Sequence, residues 1–162
     1  MTSWSVREKR SRAEPSELAP PRDEFVIQES LGYLVNRAAR LMAQQLAEAL
    51  RPAGVGIGQW AVLMFLWSRD GMSQAELSRV VAIEPPTMVR TIDRMVRDGL
   101  VERRPDASDA RISRIHLTRH GTQLRDQLVP EAMEVNRRVT DRMTAGEAAT
   151  LRRLLKKLTQ AG

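Results

Sequence analysis

Arg90, Arg94, Arg104, Arg111 and Arg114 fall within one short stretch, interleaved with Thr87, Met88, Thr91 and Asp109. These residue types suit the recognition of a nucleic-acid duplex. A guanidinium can donate to both O6 and N7 of guanine, while threonine and methionine can meet thymine methyls or phosphates in the major groove. An arginine at the tip of a ribbon suits a narrow, electronegative minor groove. Each arginine alone is as readily a solvated surface residue. What lowers that reading is their joint placement on a helix and on a ribbon. Glu84, Asp93, Asp98, Glu102 and Asp106 lie among them, so base and shape recognition must supplement bulk charge.

The elements that must carry these side chains are legible locally. Ser73-Gln74-Ala75-Glu76 is a capping box: the serine hydroxyl accepts from the amide of residue 76, and the glutamate reaches back to the serine amide. It opens a short helix whose apolar face is expected to be Ala75, Leu77, Val80 and Val81. A second helix starts at Pro85-Pro86-Thr87, prolines being tolerated in a first turn, and Gly99 ends it. With Val89, Ile92, Met95 and Val96 facing inward, its outer face shows Thr87, Met88, Arg90, Thr91 and Arg94, with Arg97 a turn further on. Leu100 and Val101 resume an extended path. Residues 103–118 read as a two-stranded ribbon, with a turn at Pro105-Asp106-Ala107-Ser108-Asp109 and Ile115 and Leu117 alternating with Arg114 and His116.

Two short helices followed by a ribbon form a winged helix-turn-helix. The second helix enters the major groove, while the first, starting at Ser73 and Gln74, braces on the backbone. The expected contacts to double-stranded DNA are therefore Ser73, Gln74, Thr87, Met88, Arg90, Thr91, Arg94, Arg104, Asp109, Arg111 and Arg114. The competing class is a winged helix used as a protein-interaction module. Steep salt dependence of duplex binding separates the two.

Helices flank this unit on both sides. Leu31, Leu34, Val35, Ala38, Leu41, Met42, Leu46, Ala49 and Leu50 recur at helical spacing before Pro52 and the glycines at 54, 56 and 58. Trp60 to Trp67 is apolar all round and reads as a buried helix, since Met, Leu and Ala outnumber β-branched residues. Leu124, Leu128, Val135 and Val139 step along a later helix, with a bend expected at Pro130. Thr144-Ala145-Gly146-Glu147 is a second capping box, opening a helix with Leu151, Leu154, Leu155 and Leu158 on one face. The faces starting at Leu124 and Leu151 have little of their own chain to cover them, which points to a homodimer. The expected fold is mainly α with a small β-wing. A winged helix-turn-helix lobe spans residues 51–119, and residues 23–50 and 120–162 form a helical dimerisation region.

Composition sets the remaining bounds. The 26 basic residues against 20 acidic give a net charge of +6, which favours polyanions. Only Lys9, Lys156 and Lys157 are lysines, a bias that genome composition can produce. The chain has no cysteine, which excludes disulfides, zinc fingers and thiol redox sensing and agrees with a cytoplasmic protein. No apolar run is long enough for a membrane span. Residues 1–22, rich in Ser, Pro, Arg and Glu, read as a disordered basic tail. His116 and His120 read as surface residues rather than metal ligands. Gly54, Gly56 and Gly58 join two helices instead of following a strand, so they form a loop and no phosphate cradle. No nucleophile elbow is present. Neither a cofactor nor an enzymatic activity is expected.

The run from Ile83 through Met95, then Gly99-Leu100-Val101-Glu102-Arg103-Arg104, resembles the recognition helix and first wing strand of the MarR family, closest to its SlyA-like branch. Asp109-Ala110-Arg111, with Ile115-His116-Leu117-Thr118 and Gly121, resembles the family's wing signature. The resemblance covers the chain from about residue 23 onward. It implies a transcriptional regulator, a homodimer whose first and last helices interlock, and an Arg111 that enters the minor groove oriented by Asp109. Ala110 departs from the pattern, since relatives often carry another arginine there. Two-fold symmetry then implies a pseudo-palindromic operator with half-sites about one helical turn apart. Members often bind small aromatic acids between arm and lobe; by position Tyr33, Arg37, Trp60 and Met64 are the candidates here, with Arg37 for the carboxylate. Trp60 and Met64, at i and i+4 in an apolar helix, read more readily as plain core, and Arg37 more readily as a surface or dimer ion pair.

Overall fold

The computed structural model describes residues 26–109 and 111–160. The tail at 1–22 and the departure at Ala110 lie outside the described residues. Among these residues six α-helices and a small sheet follow in the order α1 (Leu31–Leu50), α2 (Ile57–Ser68), β1 (Met72–Ser73), α3 (Gln74–Val81), α4 (Pro85–Arg97), β2 (Val101–Pro105), β3 (Ser113–Leu117), α5 (Arg119–Val139) and α6 (Ala145–Thr159). The expected class holds: a mainly helical chain with a small β-wing.

Local chemistry sets most boundaries. Ser30 caps α1, its hydroxyl accepting from the Tyr33 amide at 3.3 Å. Pro52 falls in the short turn that follows α1. At the start of α2, Gln59 Oε1 accepts from the Gly56 amide at 2.9 Å, while its Nε2 donates to Asp98 Oδ2 at 2.7 Å. One buried amide thereby joins the start of α2 to the end of α4. As expected, the apolar segment around Trp60 is a helix, burying Val62, Leu63 and Leu66. Trp60 and Trp67 meet edge to face at 5.6 Å, and Trp67 Nε1 donates to the Gly121 carbonyl at 2.9 Å. Pro130 lies within α5 without ending it.

The ribbon is wider than expected. The sheet has three antiparallel strands in the order β1-β3-β2, with Met72 opposite Ile115, Ser73 opposite Arg114 and Arg103 opposite Ile115. A two-residue strand carries no periodicity, and Ser73 doubles as the cap of α3, so β1 left no separate trace. Gly71 precedes it at φ +73°, packed so closely on the His116 ring that a Cβ would lie 2.7 Å from Cε1.

Two helix faces are rotated from expectation. On α4 the buried residues are Met88, Thr91, Ile92 and Met95, whereas Val89 and Val96 are exposed. This turns the packed stripe by roughly 60°, given the ~100° advance per residue. Thr91 can be buried (2% exposed) because its hydroxyl donates to the Thr87 carbonyl at 2.9 Å. Its methyl faces Gly58. On α3, Leu77 and Ser78 are buried while Ala75 and Val80 are exposed.

The core joins α2, α3, α4 and the sheet, and extends into α5 through Leu124 and Leu128. These two and Val135 are buried within their own chain, where α5 packs along α1. The expectation that this face lacks an intrachain cover is therefore overturned. For α6 it holds: no residue of that helix is buried, and Leu151, Leu154, Leu155 and Leu158 are all exposed. Leu31, Leu34 and Leu41 of α1 are exposed too. Among the described residues no single helix is long and apolar enough to cross a membrane.

Candidate nucleic-acid interface

The interface starts at a well-tied helix terminus. The Ser73 hydroxyl accepts from the Glu76 amide at 3.2 Å, and Glu76 Oε2 accepts from the Ser73 amide at 2.7 Å. Glu76 also accepts from Arg69 at 2.8 Å and from Arg114 at 3.0 Å. The Ser73 hydrogen bonds, then the two guanidinium charges, hold its carboxyl below the ordinary glutamate range. Gln74 sits half-buried in the first turn.

Between α3 and α4 the chain turns through Ala82 at φ 57°. This presents α4 with Pro86, Thr87, Val89, Arg90, Asp93 and Arg94 exposed. Met88 and Thr91, expected on this outer face, are buried and face the core instead. Val89, expected to face inward, is 39% exposed on this outer face. Thr91 packs like a small hydrophobe because its i−4 hydrogen bond satisfies the hydroxyl.

Most arginines near the ribbon are engaged internally. Arg103 Nη2 donates to Asp93 Oδ1 at 2.7 Å, pinning β2 to α4. Arg104 pairs with Glu102 on its own strand. Arg114, expected to face DNA, instead donates from Nε to Asp106 Oδ2 at 2.5 Å and from Nη1 to Glu76. By contrast Arg90, Arg94 and Arg111 have no acidic partner among the described residues. Three free cations therefore stand on the outer face of α4 and at the wing tip.

The wing tip is a compact hydrogen-bonded turn. Asp106 Oδ1 accepts from the Ser108 hydroxyl at 2.5 Å, the Ser108 amide at 2.8 Å and the Asp109 amide at 3.2 Å. With Arg114 on its other oxygen, these bonds hold the Asp106 carboxyl far below the usual aspartate range, Ser108 contributing most. Asp109 Oδ1 accepts from the Arg111 backbone amide at 2.9 Å. The resemblance implies an aspartate that orients this arginine; here it does so through the main chain. Because the Glu76 and Asp106 carboxyls are held low, their contribution to stability is present above the ordinary carboxylate range and is lost as the pH falls below it.

Neither histidine stands in a metal-binding group, and no cluster of three potential ligands occurs among the described residues. His116 is half-buried rather than superficial: its Nδ1 lies 2.9 Å from Asp70 Oδ2, and Asp70 Oδ1 accepts from the Leu117 amide at 2.9 Å. This ties the α2–β1 turn to β3.

The four candidate ligand contacts divide into two places. Trp60 and Met64 line a cavity of about 370 Å³ between α1, α2 and α5, with Met42, Leu46, Ile57, Met133 and Asn136. Tyr33 and Arg37 line a separate cleft at the start of α1 with Ser30, Asn36 and Arg40. The cavity at Trp60 has no Arg, Lys or His in its wall. Within one chain Arg37 is therefore not placed to neutralise a carboxylate held against Trp60.

A capped bracing helix, a second helix with free arginines outward, and a wing ending in another free arginine together define a winged-helix DNA-binding protein. The MarR family model matches residues 57–113. The multiple antibiotic resistance protein MarR of Escherichia coli is 31% identical over 131 residues, spanning 79% of this chain and 90% of that protein. A mutant of that MarR solved with operator DNA superposes with a TM-score of 0.75 at 30% identity, covering 79% of this chain and 92% of the other. The transcriptional repressor Rv2887 of Mycobacterium tuberculosis is 29% identical over 128 residues, 79% of this chain and 92% of that one. Its structure in complex with salicylic acid superposes with a TM-score of 0.65, covering 80% of this chain and 96% of the other. This chain belongs to the MarR family. It is a DNA-binding transcriptional regulator.

Proposed function

We propose that the protein is a homodimeric repressor that places α4 in successive major grooves of a pseudo-palindromic operator and Arg111 of each wing in the flanking minor groove. The observation that carries this is the contrast in arginine pairing. Arg69, Arg103, Arg104 and Arg114 hold carboxylates, whereas Arg90, Arg94 and Arg111 stand exposed and unpaired where the winged-helix geometry meets DNA. Thr87, Val89, Arg90 and Arg94 contact bases. Ser73 and Gln74 at the start of α3 contact phosphates, while Arg104 is held by Glu102 on its own strand. Met88 and Thr91 drop out of the contact set because they are buried.

Fluorescence anisotropy with duplexes from the gene's own upstream region tests this. Affinity is expected to fall by about a thousandfold or more between 50 and 200 mM salt if six or more phosphates are neutralised. Arg90→Ala and Arg111→Ala are each expected to weaken binding by roughly 5- to 100-fold, the range for loss of one good base contact. A protein that shows no salt-sensitive preference for any such fragment over random duplex overturns the proposal.

The same reading includes a small aromatic acid as effector. Its ring enters the cavity at Trp60 and Met64, where Asn136 is the polar side chain in the wall. The volume falls within the range of drug-sized pockets, and the salicylic acid complex of Rv2887 supports the ligand class. Salicylate at millimolar concentration is expected to quench tryptophan fluorescence and weaken duplex binding. Trp60→Phe should remove most of the quenching. No change in either signal overturns the effector assignment.

A further inference from the structure

We infer that Arg114 is a positioning residue: it locks the wing onto the capped start of α3, so that Arg111 is presented at a set reach from α4. The inference rests on the DNA-binding reading above and deepens it.

The base of the wing is fixed to the lobe by the buried Val101 and Ile115 and by the Arg103–Asp93 pair, whereas its outer part meets the lobe along a narrow seam. β1 contributes two residues, Met72 and Ser73, to the sheet, and the pair Ser73–Arg114 is the outer end of that contact. Beyond it, β2 and β3 pair only with each other. A two-stranded ribbon is at best marginally stable alone and twists freely. Something must hold its angle.

Arg114 sits at that seam, with its side chain one-third exposed. Nε donates to Asp106 Oδ2 at 2.5 Å, and Nη1 donates to Glu76 Oε2 at 3.0 Å and to the Gly71 carbonyl at 3.4 Å. On one side Glu76 is bound into the α3 cap and to Arg69. On the other, Asp106 gathers the amides of Ser108 and Asp109, and Asp109 holds the amide of Arg111. An unbroken series of polar contacts therefore runs from the start of the bracing helix to the arginine at the wing tip. Removing the guanidinium would leave two carboxylates, Glu76 and Asp106, facing each other without the cation between them. Like charges then push the wing away from the lobe.

A double-mutant cycle separates positioning from a direct phosphate contact. Arg114→Ala is expected to weaken operator binding about as much as Arg111→Ala, roughly 10-fold or more. In the Arg111→Ala background Arg114→Ala should add less than about twofold, whereas with Arg90→Ala the two losses should multiply. Multiplication with Arg111→Ala, together with a further fall of about one in the salt slope, would identify a phosphate contact and overturn positioning. So would Arg114→Ala binding like the wild type.

Hydrogen exchange on the free protein reads the same device without DNA. In Arg114→Ala the amides of Ser108, Asp109 and Arg111 should exchange about 10-fold faster or more, with those of α4 unchanged. Arg114→Lys, which keeps the charge, should restore part of the protection. Equal wing exchange in wild type and Arg114→Ala overturns the inference, whatever the DNA assays show. Failure of the wild type to bind any duplex would overturn the DNA-binding reading instead.

Discussion

Replacing Gly121 by alanine is expected to destabilise the protein by about 3 kcal/mol, at the upper end of what overpacking costs. Gly121 lies in the first turn of α5, where a Cβ would sit 2.1 Å from the Leu100 carbonyl oxygen, 3.1 Å from its carbon and 3.3 Å from Leu117 Cδ2. The closest of these is backbone and cannot swing aside. That carbonyl also accepts from the Thr118 amide at 3.1 Å and from the Thr118 hydroxyl at 3.2 Å, and the Gly121 carbonyl is the acceptor for Trp67. A methyl group would therefore part the start of α5 from β2 and β3 and strain the contact with α2 together. Intrinsic propensity acts the other way, since alanine in a helix is favoured over glycine by about 1 kcal/mol. A net loss can come only from the clash. Urea unfolding followed by circular dichroism reads it directly; an unchanged or higher midpoint would show that α5 does not seat against Leu100 as described.

The second large effect is expected at α6. If the protein is the homodimer proposed above, Leu154→Arg combined with Leu158→Arg should convert it to monomer and lower operator affinity by about 100-fold or more, because linked half-site binding is lost. Leu154 and Leu158 are 50% and 52% exposed within one chain, so charge there costs the single chain little. The helix keeps its own start, with Glu147 Oε2 accepting from the Thr144 amide at 2.8 Å and the Thr144 hydroxyl accepting from the Glu147 amide at 3.3 Å. In the proposed dimer the exposed leucines of α1 would offer the complementary surface. Sedimentation at micromolar concentration, alongside anisotropy on a full operator and on a half-site, checks it. A double variant that stays dimeric would move the interface away from α6.

What the sequence determined by itself is what depends on neighbours along the chain. Both capping boxes, Ser73–Glu76 and Thr144–Glu147, close between residues three apart, so their chemistry is written in consecutive letters. The proline start of α4, its end at Gly99 and the turn chemistry of the wing are equally local. The tertiary structure decided what depends on residues far apart. The inward face of α4 was ambiguous, because valine at 89 and threonine at 91 both satisfy an amphipathic spacing; the threonine went inside where Gly58 of α2 leaves room for its methyl. β1 exists only because β3 lies beside it. Leu124, Leu128 and Val135 find their cover on α1 and α2, far earlier in the chain. Arg114 reads as one more cation on a basic ribbon until Glu76, 38 residues away, is folded against it. Residue type states which partners a side chain can accept; only the packed chain determines which of them arrive. Here that separated the arginines held by carboxylates from Arg90, Arg94 and Arg111, which stand unpaired.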